Sequence, residues 1–219
     1  LTPAMLCHII AVGAIDHHDE LVLVDTSAVV GLEISGRRMG VVIAPGILEV
    51  TTPSHGGINL APHLNSQVHK AWRQKSGWYE EDCEWAIVAV TFPAHFEGKT
   101  VQNGPHAGKT YVQYAHGVLK RWFPDQYGTV FGVVVTAAES SIVAEREFKA
   151  AHPDAWLSTS AWGHGNDRNG RLRVPAGWVG VCASIGGSRT SGADERWFLI
   201  PEAEYDAGNS WGRVIDPDR

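Results

Sequence analysis

A histidine followed by two glycines, within the string Thr52-Pro53-Ser54-His55-Gly56-Gly57, is one of two short motifs in this chain whose residue types and spacing suit chemistry. Imidazole exchanges a proton near neutral pH, the task of a general acid or base. Paired glycines let the backbone turn sharply and bring amide N–H groups close to an anion. Ser54 adds a hydroxyl beside the ring. The same string would also serve as a tight turn whose imidazole caps a backbone carbonyl.

The second motif is Gly77-Trp78-Tyr79-Glu80-Glu81-Asp82-Cys83-Glu84-Trp85, with four carboxylates in five positions. Acids at the start of a helix complement its positive end and satisfy orphan amides. Helical spacing puts Glu80 on a stripe with Cys83, Glu84 and Ile87, and Glu81 over Trp85 and Val88. A carboxylate leaning on apolar neighbours is harder to ionise, so Glu80, Glu81 and Asp82 are candidate acid–base partners for His55. Trp78 and Tyr79 are candidate ligand contacts beside them. Cys83 is expected to be an inert thiol, because the flanking acids disfavour thiolate.

Other strings carry less. Asp16-His17-His18-Asp19 is similar to a phosphoesterase motif, but the companion aspartate motifs of those enzymes are absent. Asn103 stands where a phosphate loop ending in Gly108-Lys109-Thr110 requires glycine. The histidines show no metal-ligand spacing, so no metal site and no cofactor is named. Arg189 and Arg196 frame a glycine-rich loop and are candidate ligand contacts.

Stretches rich in Val, Ile and Leu predict strands over 21–25, 28–34, 40–43 and 47–51, broken by turn residues at Ser35-Gly36 and Ala44-Pro45-Gly46. A short apolar segment at 5–14 reads as an early strand; without a basic leader and with acids directly after it, a secretory signal is not expected. Helical spacing is expected over 61–75, from about Tyr79 to Pro93, from 109 to 122 and from 140 to 151. The stretch 130–136 suits strand or helix. Strands return at 156–162, 178–185, 196–200 and 211–215. The order predicts an α+β fold, a largely antiparallel sheet with a central block of about four helices, in one domain over 1–219.

With 219 residues, 44% hydrophobic and 19% charged, the chain is long and apolar enough to bury a core. A net charge of −6 argues against direct nucleic-acid binding. No apolar run is long enough to cross a bilayer, so no membrane partner is expected. Three widely separated cysteines form no disulfide framework and fit a reducing cytoplasm. The nine tryptophans serve a core or a cleft equally well.

The strings TPSHGG (52–57), GWYEEDCEW (77–85), VPAGWVGVCASIGG (174–187) and ERWFLIPEAEYDA (195–207) resemble an uncharacterised domain family of proteobacterial plasmids, prophages and integrative elements. The resemblance covers roughly residues 37 to 216 and leaves 1–36 as an N-terminal extension. It implies a mobile-element accessory protein, a setting in which anti-restriction and anti-CRISPR proteins are common, and it transfers no catalytic residues. Two functions are therefore expected. The first is binding of a host macromolecule such as a defence nuclease complex, where an acidic body competes with nucleic acid. The alternative is a small hydrolase or transferase using His55 with a carboxylate from 80–82, and the Gly56-Gly57 amides for an anion.

Overall fold

The computed structural model describes residues 21–26, 29–34, 38–51, 55–165, 173–207 and 212–218, with side chains from residue 40 onward. Ser54, the strings at 5–14 and 16–19, and the Ser35-Gly36 turn lie outside the described residues. The chain divides into two compact units, Leu1–Val134 and Val135–Arg219.

In the first unit, strands β1 (Leu21–Thr26), β2 (Val29–Ile34), β3 (Arg38–Ala44), β4 (Ile47–Thr51), β5 (Gly56–Leu60) and β6 (Trp78–Glu80) form an antiparallel sheet in sequence order. Pro45 and Gly46 make the β3–β4 turn. Gly46 takes φ +86°, and a Cβ there would come 2.9 Å from Leu64 Cδ1. Side chains alternate between faces of a strand, so Ile47, Glu49 and Thr51 share a face. Register carries that face across to Leu60, Ile58 and Gly56 of β5 and to Tyr79 of β6. Ile47, Ile58, Leu60 and Tyr79 are buried there, and helix α2 (Trp85–Thr91) packs on β5 and β6.

Two expected helices are corrected. Over 61–75 the helix is only α1 (Pro62–Asn65), followed by turns. Polar side chains hold those turns by capping backbone carbonyls: Asn65 Nδ2 donates to Gln74 O (2.8 Å), and Arg73 donates to Val68 O and Ser66 O (2.8 Å each). The helix expected from Tyr79 begins only at Trp85. Residues 78–80 instead supply β6, because the open edge of β5 needs a backbone partner and Gly57 lets one approach. A Cβ on Gly57 would lie 2.5 Å from Tyr79 O.

A 3₁₀ turn, Pro93–Phe96, follows α2. Helix α3 (Tyr111–Trp122) starts at a capping box in which Thr110 Oγ1 accepts from Gln113 N (3.1 Å) and Gln113 Oε1 accepts from Thr110 N (3.0 Å). The first part of 130–136 turns out to end α4 (Pro124–Phe131), closed by Gly132 at φ 67°.

The second unit holds α5 (Ser141–Ala151), strands β7 (Trp156–Trp162), β8 (Trp178–Ile185), β9 (Glu195–Pro201) and β10 (Val214–Ile215), and α6 (Glu202–Asp206). Its antiparallel sheet runs β10-β7-β8-β9. Trp156, Val179, Val181, Ala183, Phe198, Ile200 and Ile215 form its core, with Tyr205 packed against them. The fold is α+β, built on two antiparallel sheets rather than one. No helix among the described residues is long and apolar enough to cross a membrane.

Candidate functional site

The helix-covered face of the first sheet is apolar at Ile47, Ile58 and Leu60 but turns polar toward the β4–β5 connection, at Glu49 and Thr51. There Gly56 contributes no side chain, and a hollow opens. It measures about 370 Å³ and is lined by Glu49, Thr51, His55, Gly56, Ile58 and Glu81 on the sheet side. Trp85 of α2, Phe96 and Lys99 around the 3₁₀ turn, and Tyr111 at the start of α3 form the facing wall.

Glu81 reaches this hollow because the β5–β6 pairing continues one residue past β6, with Glu81 N donating to Gly56 O (3.3 Å). Its carboxylate then accepts from Gly56 N. A Cβ on Gly56 would stand 3.0 Å from Glu81 Oε2, so glycine is what lets the carboxylate lie against the strand. An amide–carboxylate bond of this kind is charge-assisted and fixes the orientation of the anion. The Gly56 amide, expected for an external anion, is thus engaged by the protein's own carboxylate, and both glycines are extended strand residues rather than a turn.

Alternation separates the remaining candidates. Glu80 lies one residue from Glu81 and projects to the opposite sheet face, as does Trp78, whose ring lies against Gly57. Tyr79 shares the face of Glu81 but is fully buried, donating to Asn65 Oδ1 (2.6 Å) and accepting from Gln74 N (3.3 Å). Asp82 is exposed and does not line the hollow. Glu84 occupies the N-cap position of α2, where it accepts from Gln74 Nε2 (2.7 Å) and Glu80 N (3.2 Å). Cys83 is half-buried before the helix, and its thiol pKa is raised by burial and then by Glu84, Asp82 and Glu80. Arg189 and Arg196 belong to the second unit, Arg189 on an exposed loop and Arg196 over the Trp156 ring (4.3 Å to its centroid).

The facing wall was not legible as a site. Tyr111 packs against Trp85 (centroids 4.7 Å apart) and lies parallel to Phe96 (6.1 Å). Burial, followed by the Glu49 carboxylate and Tyr114, raises the Tyr111 pKa, so its hydroxyl keeps its proton and is a hydrogen-bond donor. Lys99 Nζ stands 5.4 Å from the centre of the Phe96 ring, a cation–π distance. Glu49 did leave a signal: it is a charge in the run Ile47-Leu48-Glu49-Val50 at an alternation position shared with Ile47. No group of three or more His, Cys, Asp or Glu among the described residues could hold a metal.

No curated protein and no solved structure matches the chain. A family model does, that of a domain of unknown function, DUF7007, over residues 37–153. The match spans all of β3 to α5 and every residue of the hollow, and it ends before the strings at 174–187 and 195–207. With more than half of its length matched, the chain belongs to the DUF7007 family.

Proposed function

We propose that the hollow is a small-molecule site with acid–base chemistry, and that the protein is a hydrolase or transferase in which His55 moves the proton. The observation that carries this is that His55 and Glu81 line the same cavity as Lys99 and the protonated Tyr111. His55 takes a proton from the attacking water or hydroxyl as its oxygen bonds to an electrophilic carbonyl or phosphorus. Lys99 and the Tyr111 hydroxyl stabilise the negative charge that develops on the substrate. The proton then passes from His55 to the leaving group as that bond breaks. Glu81, held by the Gly56 amide, sets a fixed negative charge in the same cavity.

The test is a panel of small chromogenic esters, amides and phosphoesters, with wild-type protein and His55→Gln. Turnover of one class that falls about 100-fold in the variant, with an unchanged circular dichroism spectrum, is the expected result. Turnover insensitive to His55→Gln, or an inert panel, counts against it.

A second reading has support in charge. Exposed Glu80 and Asp82 beside a net charge of −6 suit an acidic surface that docks on a basic channel. In this reading the protein is a mobile-element accessory protein of the anti-defence type, cytoplasmic, binding a host defence nuclease complex and not nucleic acid itself. Salt-sensitive capture of such a complex, weakened by a Glu80→Lys/Asp82→Lys double variant, is its expected signature. Retention of DNA or RNA by the protein alone would contradict it.

A further inference from the structure

We infer, building on the hollow as a substrate site, that its ligand is a small zwitterion: an ammonium and a carboxylate on one compact, partly apolar body, as in a free α-amino acid. The charges lining the hollow are segregated by wall. Glu49, on β4, and Glu81, just past β6, both belong to the sheet side. Lys99 belongs to the facing side, with its ammonium over Phe96. Between them the lining is apolar and aromatic: Ile58, Trp85, Phe96 and Tyr111.

Each simpler charge type leaves a conflict. An anion alone can pair with Lys99 but faces two carboxylates. A cation alone can pair with Glu49 and Glu81 but meets Lys99. A neutral body strips water from all three charges and returns no partner to any. A zwitterion satisfies both walls, and its apolar portion covers the rings. Glu81 remains able to take part, since a carboxylate has about four acceptor positions and Gly56 N uses one. A volume of about 370 Å³ is near the lower end for small-ligand cavities, in keeping with a single amino acid rather than a polymer.

Three probes of one shape separate the charges: L-phenylalanine, phenethylamine, which lacks the carboxylate, and 3-phenylpropionate, which lacks the ammonium. Binding to the full chain is followed by calorimetry. Phenylalanine is expected to bind, and each single-charge analogue about tenfold more weakly, the loss of one charge-assisted hydrogen bond. Glu49→Gln is expected to weaken the two amine-bearing probes and spare 3-phenylpropionate. Lys99→Met is expected to weaken the two carboxylate-bearing probes, phenylalanine and 3-phenylpropionate, and to spare phenethylamine. If a variant does not fold, the comparison of probes on wild type stands by itself. Preference for phenylalanine alongside an inert chromogenic panel supports the zwitterion and removes only the catalytic proposal. Equal binding of the three probes, or no binding at about 1 mM, overturns the zwitterion even where the panel is turned over.

Discussion

The Glu81 carboxylate accepts a hydrogen bond from the backbone amide of Gly56, 25 residues earlier in the chain. One bond thereby ties the glycine beside His55 to the acidic run after β6, and sets a negative charge on the sheet side of the hollow. Removing the charge while keeping an acceptor, in Glu81→Gln, is expected to cost about 1 kcal/mol of stability, the difference between a charged and a neutral acceptor. Denaturant midpoints check this, with the m-value unchanged.

The two glycines of β5 fail differently when given a side chain. In Gly56→Ala the new Cβ meets Glu81 Oε2 and Val50 O at 3.0 Å, and a carboxylate can shift. In Gly57→Ala it meets the backbone carbonyl of Tyr79 at 2.5 Å, which cannot move without opening the β5–β6 pairing. Both are expected to destabilise within about 1–3 kcal/mol, Gly57→Ala at the upper end. Urea unfolding of the pair orders them, and hydrogen exchange at residues 78–80 should rise in Gly57→Ala alone.

Tyr79→Phe removes a fully buried hydroxyl and leaves Asn65 Oδ1 without its 2.6 Å donor. An orphaned buried acceptor costs about 1–3 kcal/mol. Asn65 also holds Gln74 O, so the turns between α1 and β6 are expected to become protease-sensitive before the rest of the unit.

The Cys83 thiol pKa is raised by burial and by three neighbouring acids, which lowers the thiolate fraction at neutral pH. Alkylation by iodoacetamide at pH 7.5 is therefore expected to run slower than for a free thiol and to accelerate with rising pH. Glu84→Gln, which removes the largest of the three charge effects, is expected to speed it.

His116 hydrogen-bonds the Tyr127 hydroxyl through Nδ1 (3.0 Å), and its pKa is lowered by burial and by Lys120. Unfolded, the ring titrates near 6.5. Between the two values the unfolded chain binds more protons, so the stability this site contributes is present above about 6.5 and is lost as pH falls through it. The urea midpoint is expected to drop between pH 7 and pH 5, and the drop is expected to shrink in His116→Gln.

Strands over 47–51, 156–162 and 178–185 are legible as short runs of strand-forming residues; burial in 178–185 is continuous from Val179 to Ser184 rather than alternating. The misreadings sit together at 61–85. Leu64, Val68, Ala71 and Trp72 have helical spacing, yet Asn65, Arg73 and Gln74 hold the backbone in turns through bonds that no local pattern announces. Tyr79 and Glu80 followed helical propensity on paper, but the free edge of β5 took them as a strand.

The amino-acid order alone determines that His55 and the acid run are neighbours to glycines, that α3 starts at its Thr110 capping box, and that α3 and α5 stop short of Pro124 and Pro153. All of these depend on contacts within a few residues. Which acid lines the hollow with His55 was decided by the tertiary structure: strand alternation through β6 turns Glu81 to the hollow and Glu80 away, and a helix would have turned them otherwise. The facing wall of Trp85, Phe96, Lys99 and Tyr111 likewise exists only once α2 packs on the sheet and α3 packs on α2, because residues that far apart in the chain acquire a common cavity through packing and not through spacing.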